Sequence, residues 1–223
     1  MDDICSAMPN NLRSLDRNDI DLLIKPVTIT EVYHTLRSMP KTKSLGLDGL
    51  NIEFYLFYWH IVGDQIFKAI NYFFQNATLP NAWGRTYDVL ISQSKSLRTV
   101  TEYRPIFLCN VSYITISKIL ANKFNMVIHK LVNPKQNDFS ADKYTKDNII
   151  AIDELAHSLG KDSCSLPRMM VRIDLEKVYD SLKWNVVLPT LSIMGFQDIW
   201  VSWVRACSST CNLSFLINGQ PLN

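Results

Sequence analysis

The sequence lacks the features that would place the protein in a strongly charged, secreted or membrane class. Its 223 residues carry 23 lysines and arginines against 21 aspartates and glutamates, a formal net charge of +2. That balance is too mild to establish nucleic-acid binding, for which a strongly basic domain is typical. The most apolar stretch, 54–62, is too short to cross a bilayer, so no membrane partner is expected. The N-terminus is acidic without an apolar segment, and we expect an intracellular protein, nuclear or cytoplasmic and not secreted.

The cysteines and histidines form no recognisable metal or disulfide pattern. The five cysteines are odd in number and scattered along the chain. Cys207 and Cys211 are four residues apart, but no histidine lies near them in sequence. A disulfide framework and a paired zinc site are therefore both disfavoured, and reduced thiols are expected.

Composition and periodicity predict an α+β fold in which helices dominate. With 47% hydrophobic and 20% charged residues, the chain is typical of globular proteins of one or two domains. Thr28 and Glu31 have the spacing of a capping box, and Pro40 closes the helix that follows. Further helices are predicted at 52–61, 64–76, 112–132, 147–159, 184–194 and 198–207. Strands are predicted at 87–92, 106–108, 169–173 and 213–217.

The segment 169–184 carries the most distinctive candidate chemistry. A short apolar run delivers Asp174, and the spacing then becomes helical, with Tyr179 five residues later. A carboxylate at the end of a strand is able to hold a divalent metal at the edge of a sheet. Taken alone, however, such an aspartate is more often a helix N-cap, and Tyr179 is an ordinary core aromatic.

Several blocks of the chain resemble, in order, the reverse transcriptases of non-LTR (LINE-type) retrotransposons, particularly those of plants. The blocks are the 169–184 run, residues 43–49 (K-S-L-G-L-D-G), 103–110 (Y-R-P-I-F-L-C-N), 117–123, Gln136 with Phe139, 147–149 (D-N-I), 194–196 and 218–219. The resemblance implies a right-hand polymerase fold with helix-rich fingers and an incomplete palm. The resemblance divides the chain into a lead-in at 1–27, a fingers-like region at 28–165 and a partial palm at 166–223.

The resemblance also implies a reaction, RNA-directed DNA polymerisation on an RNA template and a DNA primer, and this chain is expected to bind these partners weakly or not at all. In that chemistry two Mg²⁺ ions about 3.5–4 Å apart activate the primer hydroxyl and stabilise the leaving pyrophosphate. Carried over by position, Asp174 is the catalytic metal ligand and Leu175 lends a backbone contact to the same metal. Tyr179 screens the sugar of the incoming nucleotide, and Arg104 lies near its triphosphate. Without the resemblance, Arg104 is an ordinary loop arginine.

Basic and aromatic side chains supply the remaining candidates. Lys41, Lys43 and Lys123 are expected to contact nucleic acid, although local basic clusters are more often a solvated rim. The aromatic residues Tyr55, Phe57, Tyr58 and Trp59 are expected to pack in the interior rather than to stack on bases.

Departures from the family pattern occur at functional positions. Leu45 and Leu47 replace two prolines, Phe107 replaces a serine, and Val178 replaces an alanine. The resemblance places the paired catalytic aspartates after Asn223, so this chain alone is expected to be inactive in primer extension. Synthesis that vanishes in Asp174→Ala would contradict that expectation. Two alternatives stay open, a non-catalytic nucleic-acid-binding remnant and a functionless product of a decayed element.

Overall fold

A computed structural model describes residues 12–41, 45–92, 103–132, 145–161, 169, 171, 182–209, 212–217 and 220–222. The chain divides into two compact units. One comprises Met1–Asp16 and Phe124–Gly195, and the other comprises Arg17–Lys123 and Phe196–Asn223. These units do not follow the predicted boundary between the fingers-like region and the partial palm at residue 165. That boundary rests on the family resemblance and stays a prediction.

The described residues form a mixture of helices and one four-stranded sheet, which confirms the α+β class. The helices are α1 (Arg17–Ile24), α2 (Ile29–Ser38), α3 (Ile52–Phe57), α4 (Trp59–Asn76), α5 (Val111–Asn125), α6 (Ile128–Leu131), α7 (Thr145–Lys161), α8 (Trp184–Ile193) and α9 (Asp198–Ser209). The strands are β1 (Arg85–Ser92), β2 (Tyr103–Cys109), β3 (Asn212–Ile217) and β4 (Gln220–Leu222).

Local signals placed the start of α2 correctly. The Thr28 hydroxyl accepts a hydrogen bond from the Glu31 backbone N–H at 3.1 Å, as an N-cap does. Val32 and Leu36 then fall on the buried face of the helix. The helix ends at Ser38, two residues before Pro40.

Two predicted helix boundaries are wrong. The break between α3 and α4 lies at Tyr58, whose φ of −94° and ψ of 17° interrupt the helix, rather than near residue 62. The predicted helix at 112–132 is divided by a turn in which the Val127 N–H donates to the Phe124 carbonyl at 3.1 Å. In both places the apolar periodicity continues across the turn, so periodicity alone did not reveal it.

The core of the larger unit is aliphatic and aromatic. Ile70 and Phe73 of α4 and Ile116 and Ile119 of α5 are fully buried. The Trp203 indole N–H of α9 donates to the Phe74 carbonyl at 2.9 Å, and the two rings meet edge to face at 5.0 Å. The edge-to-face contact adds to the apolar burial that holds α9 against α4.

The sheet belongs to the same unit and has the order β2-β1-β3-β4. β1 pairs antiparallel with β2 and parallel with β3, and β3 pairs antiparallel with β4. Met169 and Val171 are the described positions of the predicted strand at 169–173. Neither is in a strand, and they are 84% and 64% exposed, so that prediction is wrong at both positions.

The smaller unit is described through α6, α7, α8 and the segment around Leu15. The Leu15 N–H donates to the Met194 carbonyl at 3.0 Å, and Gly195 follows with a φ of +89° that favours glycine. Lys130 forms an ion pair with Asp16 at 3.4 Å. Among the described residues of either unit, no helix combines the length and the apolar character needed to cross a membrane.

Candidate nucleic-acid interface

Two of the sequence blocks, 43–49 and 103–110, meet at Asn110, which directly follows β2. The Asn110 side-chain oxygen accepts from the Asp48 N–H at 3.2 Å, and its amide nitrogen donates to the Ala82 carbonyl at 2.9 Å. Asn110 is only 3% exposed, so the side-chain end of each bond is shielded from water, whereas Asp48 and Ala82 are exposed residues. One buried amide therefore ties the 45–50 turn to the segments that enter and leave the β1–β2 hairpin.

The turn itself is built for this close approach. The Gly49 N–H donates to the Gly46 carbonyl at 3.1 Å, and the Asp48 carboxylate accepts from the Leu50 N–H at 3.0 Å. A Cβ atom added at Gly46 would lie 2.6 Å from the Asn110 Cα. Gly49 has a φ of +68°, which glycine adopts without strain. The glycines of the block are therefore required by the backbone path.

One face of the sheet carries two arginines, and we call it the arginine face. Its described residues are Arg85, Tyr87, Val89, Ile91, Arg104, Ile106, Leu108, Asn212, Ser214 and Leu216, which the strand registers place on one side. None of them is acidic. Arg85 and Arg104 are both exposed. A polyanion that meets this face would therefore meet no opposing carboxylate from the strands.

The two arginines mark opposite ends of the face. Arg104 is the cross-strand partner of Ile91, and Ile91 lies six residues along β1 from Arg85. At about 3.3 Å per residue, the two ends are about 20 Å apart. Between them lie the exposed side chain of Ile106 and the partly buried side chain of its register partner Val89. The pattern of two cations separated by an apolar strip suits an extended strand that carries both phosphates and bases.

A cleft of about 350 Å³ opens at the Arg85 end of the face. It is lined by Leu47, Arg85, Tyr87, Asn212, Ser214 and Pro221. Arg85 pairs with Asn212 and Tyr87 with Ser214 across the parallel strands, so the polar side chains form two adjacent rows. The Asn110 contact positions the turn that contributes Leu47. The cleft is large enough for a small polar group and offers mainly hydrogen-bond donors.

Asp88 lies on the opposite face of the sheet and is not part of this interface. It is 6% exposed, and its register partners are Phe107 on β2 and Phe215 on β3. One of its carboxylate oxygens, Oδ1, has no hydrogen-bond partner. Burial raises the pKa of the Asp88 carboxyl above its usual value, because removal from water disfavours the charged form.

The structure separates the three predicted lysines. Lys41 is exposed, whereas Lys43 lies outside the described residues. Lys123 is 3% exposed, and its ammonium donates to the Lys25 carbonyl at 2.6 Å. Burial lowers the Lys123 pKa, partly opposed by the charge of Glu31. Lys123 thus makes a structural contact in this fold. Of the two predicted lysines that the structure describes, Lys41 is the exposed one.

Asp174, Leu175 and Tyr179 also lie outside the described residues. Within the described part of the chain, no group of three or more His, Cys, Asp or Glu side chains is arranged to hold a metal ion. The described residues therefore do not test the fit of Mg²⁺, and its ligation by Asp174 and Leu175 stays a prediction, as does the role of Tyr179.

Sequence reasoning missed Arg85, Tyr87 and Asn110 as site residues. Arg85 and Tyr87 alternate along β1 with Thr86 and Asp88, but the buried members of this alternation are polar, so the sequence shows no apolar period of two that marks the face. The partner of Asn110 is 62 residues away in the chain, so no local pattern indicated their contact.

Comparison with known proteins relates the chain to a transposon protein. No family model matches the sequence. The chain is 26% identical over 216 residues to the Transposon TX1 uncharacterized 149 kDa protein of Xenopus laevis. The aligned region covers 97% of this chain and 16% of the Xenopus protein, so the chain spans a small part of that relative. The predicted relationship to transposon proteins is confirmed at this level.

Proposed function

We propose that the chain is derived from a retrotransposon and forms the fingers and part of the palm of a plant-type LINE reverse transcriptase. In this proposal it contacts an RNA template and a DNA primer in RNA-directed DNA polymerisation. The observation that carries the proposal is the similarity to a transposon protein along 97% of the chain. The contact between the 43–49 and 103–110 blocks at Asn110 supports it further, because the family resemblance depends on both blocks.

The arginine face is the surface we assign to nucleic acid. Each guanidinium there neutralises a phosphate through a charge-assisted hydrogen bond, a geometry that suits the planar arginine fork. Arg104, at one end of the face, contacts a phosphate of the incoming nucleotide or of the nucleic-acid strand next to that nucleotide. Arg85 and the polar side chains of the cleft bind the same nucleic-acid strand at a point about 20 Å from Arg104 along β1. The Asn110 contact keeps the Leu47 side of the cleft in place.

Asp174 is the residue we assign to the metal-dependent step. Bound Mg²⁺ would supply Lewis-acid activation and charge neutralisation at the reacting phosphate. Leu175 and Tyr179 are assigned the backbone contact and the sugar contact beside it. These three assignments depend on the family resemblance alone.

The proposal is tested by fluorescence anisotropy with a labelled DNA primer annealed to a longer RNA template. We expect binding that weakens as salt rises. Arg85→Gln and Arg104→Gln should each weaken it about tenfold at low salt and reduce the salt slope by about one. Arg37→Gln removes the same charge from an exposed position on α2 and is the matched control. Equal loss in the control, or no binding by the wild type, would contradict the proposal.

A non-catalytic nucleic-acid-binding remnant is the second candidate. The arginine face favours this candidate, because Arg85 and Arg104 are able to bind phosphates without a metal ion held by Asp174. Mn²⁺ separates the two candidates, because a metal site at Asp174 should tighten primer–template binding when Mn²⁺ is added. Asp174→Asn should remove that gain if the polymerase assignment is correct. A wild type that does not respond to Mn²⁺ would favour the remnant.

A further inference from the structure

A second cleft lies beside α3, and none of its lining residues belongs to the sheet. It is lined by Lys41, Glu53, Phe54, Leu56, Phe57 and Tyr58 and has a volume of about 550 Å³. All six residues belong to the larger unit. The expectation that the aromatics near residue 57 pack in the interior is correct for Tyr55, which is 4% exposed. It is wrong for Phe57 and Tyr58, which are 74% and 40% exposed.

Helical spacing explains why three of the rings cluster. Phe54, Phe57 and Tyr58 are related by steps of three and four residues, so they lie on one side of the α3 turn. The Tyr58 ring lies 5.0 Å from that of Phe54 and 4.9 Å from that of Phe57. The edge-to-face arrangement of Phe57 on Tyr58 leaves ring faces open rather than mutually stacked.

The rim of this aromatic cleft carries one cation and one anion. Lys41 is exposed beside the rings and offers an ammonium for a phosphate. Glu53, in the first turn of α3, is also exposed and offers a carboxylate acceptor. Open π faces next to a cation match the way single-stranded nucleic acid is bound, by base stacking and backbone contact. The Glu53 carboxylate is suited to the exocyclic amine of cytosine or adenine, which uracil and thymine lack.

We propose that the aromatic cleft stacks an unpaired base of single-stranded nucleic acid, with Lys41 on the adjoining phosphate and Glu53 selecting an amino-bearing base. This inference rests on the proposed function for its ligand class, but it concerns residues outside the arginine face. It assigns a phosphate as the partner of the Lys41 ammonium and an unpaired base as the partner of the exposed Phe57 ring.

The test compares two labelled 12-nucleotide probes, oligo(dC) and an abasic strand with the same phosphates but no bases. The wild-type chain should bind oligo(dC) about tenfold more tightly, since one stacked base contributes a factor of about five to 150. Phe57→Ala should remove most of the difference between the two probes, leaving what the apolar strip of the arginine face contributes. Tyr72→Ala removes an exposed aromatic from α4 and should leave the difference intact. Lys41→Gln should weaken both probes equally.

Base preference gives an independent readout. The wild type should prefer oligo(dC) over oligo(dT), and Glu53→Gln should reduce that preference without changing the affinity for the abasic strand. Equal affinity of the wild type for the dC and abasic probes would overturn the inference. If, in addition, sedimentation finds self-association that Phe57→Ala abolishes, the occupant of the cleft is a second copy of the chain.

The two proposals fail separately. If Arg85→Gln and Arg104→Gln weaken binding while the base-dependent difference is absent, the proposed function stands and the aromatic-cleft inference falls. If the base-dependent difference is present and the arginine variants have no effect, the assignment of the arginine face falls instead.

Discussion

The Asp48 backbone N–H donates to the Asn110 side-chain oxygen at 3.2 Å, across 62 residues of sequence. The second bond of Asn110, to the Ala82 carbonyl, makes the same amide a bridge between three segments. Loss of the buried Asn110 side chain leaves two backbone groups, the Asp48 N–H and the Ala82 carbonyl, without this partner.

Asn110→Ala should therefore destabilise the protein. With two part-buried hydrogen bonds lost, we expect the free energy of unfolding to fall by about 1–3 kcal/mol. Urea denaturation measures this directly, and the m-value should remain unchanged. Asn76→Ala is a suitable control, since the Asn76 side chain makes only an exposed bond to the Tyr72 carbonyl. A loss below about 0.5 kcal/mol for Asn110→Ala would show that the bridge is not important.

Gly46→Ala should also destabilise the fold, for a steric reason. The added Cβ would lie 2.6 Å from both the backbone N and the Cα of Asn110, so the turn must move. We expect a loss of about 1–3 kcal/mol, measured in the same urea experiment. Asn110→Ala should not fully rescue Gly46→Ala, because it removes the clash with the Asn110 side-chain oxygen but leaves those with the Asn110 backbone N and Cα. Full rescue in the double variant would contradict this explanation.

Asp88→Asn should stabilise the protein at neutral pH. The substitution removes a charge from a buried carboxyl with an unpaired oxygen, and we expect a gain of about 1 kcal/mol. The raised pKa of Asp88 means that the folded state takes up its proton above pH 3.8, before the unfolded state does. Wild type therefore recovers stability relative to the variant as pH falls through that window towards 3.8. Asp64→Asn removes a carboxylate from an exposed position on α4 and is the control variant.

Lys123→Met tests the buried lysine through the pH dependence of stability. The lowered pKa of Lys123 means that the unfolded state binds the proton more tightly than the folded state, so charging opposes folding. This opposition is complete below the folded-state pKa and disappears as pH rises to 10.5. The free energy of unfolding of wild type should thus increase relative to Lys123→Met as pH is raised. Lys68→Met, at an exposed position on α4, is the control, and a flat difference for Lys123→Met would refute the argument.

Local chemistry determined which features the sequence was able to predict. The Thr28 cap was correct because its signal and its partner are three residues apart. The turns at Tyr58 and Val127 were missed because the apolar pattern runs through them. Tertiary contacts determine the burial of Asp88 and Lys123, and both residue types are normally exposed, so pattern alone gave no reason to place them inside.

The candidate site was predictable in part. Arg104 was identified from its block, and the structure places it on an exposed strand position without acidic neighbours on its face. Arg85 and Tyr87 lie in no matched block, so their role became visible only when the parallel pairing of β1 with β3 placed them beside Asn212 and Ser214. The predicted roles of Asp174, Leu175, Tyr179 and Lys43 remain predictions outside the described residues.

The most direct test of the central claim is ultraviolet crosslinking of an RNA–DNA primer–template to the full chain, with the attached peptides identified by mass spectrometry. The account predicts crosslinks in Arg85–Ser92 and Tyr103–Cys109, the strands that form most of the arginine face. Those crosslinks should be lost in the Arg85→Gln/Arg104→Gln double variant and kept in Arg37→Gln. Crosslinks confined to other segments, or unaffected by the double variant, would contradict it.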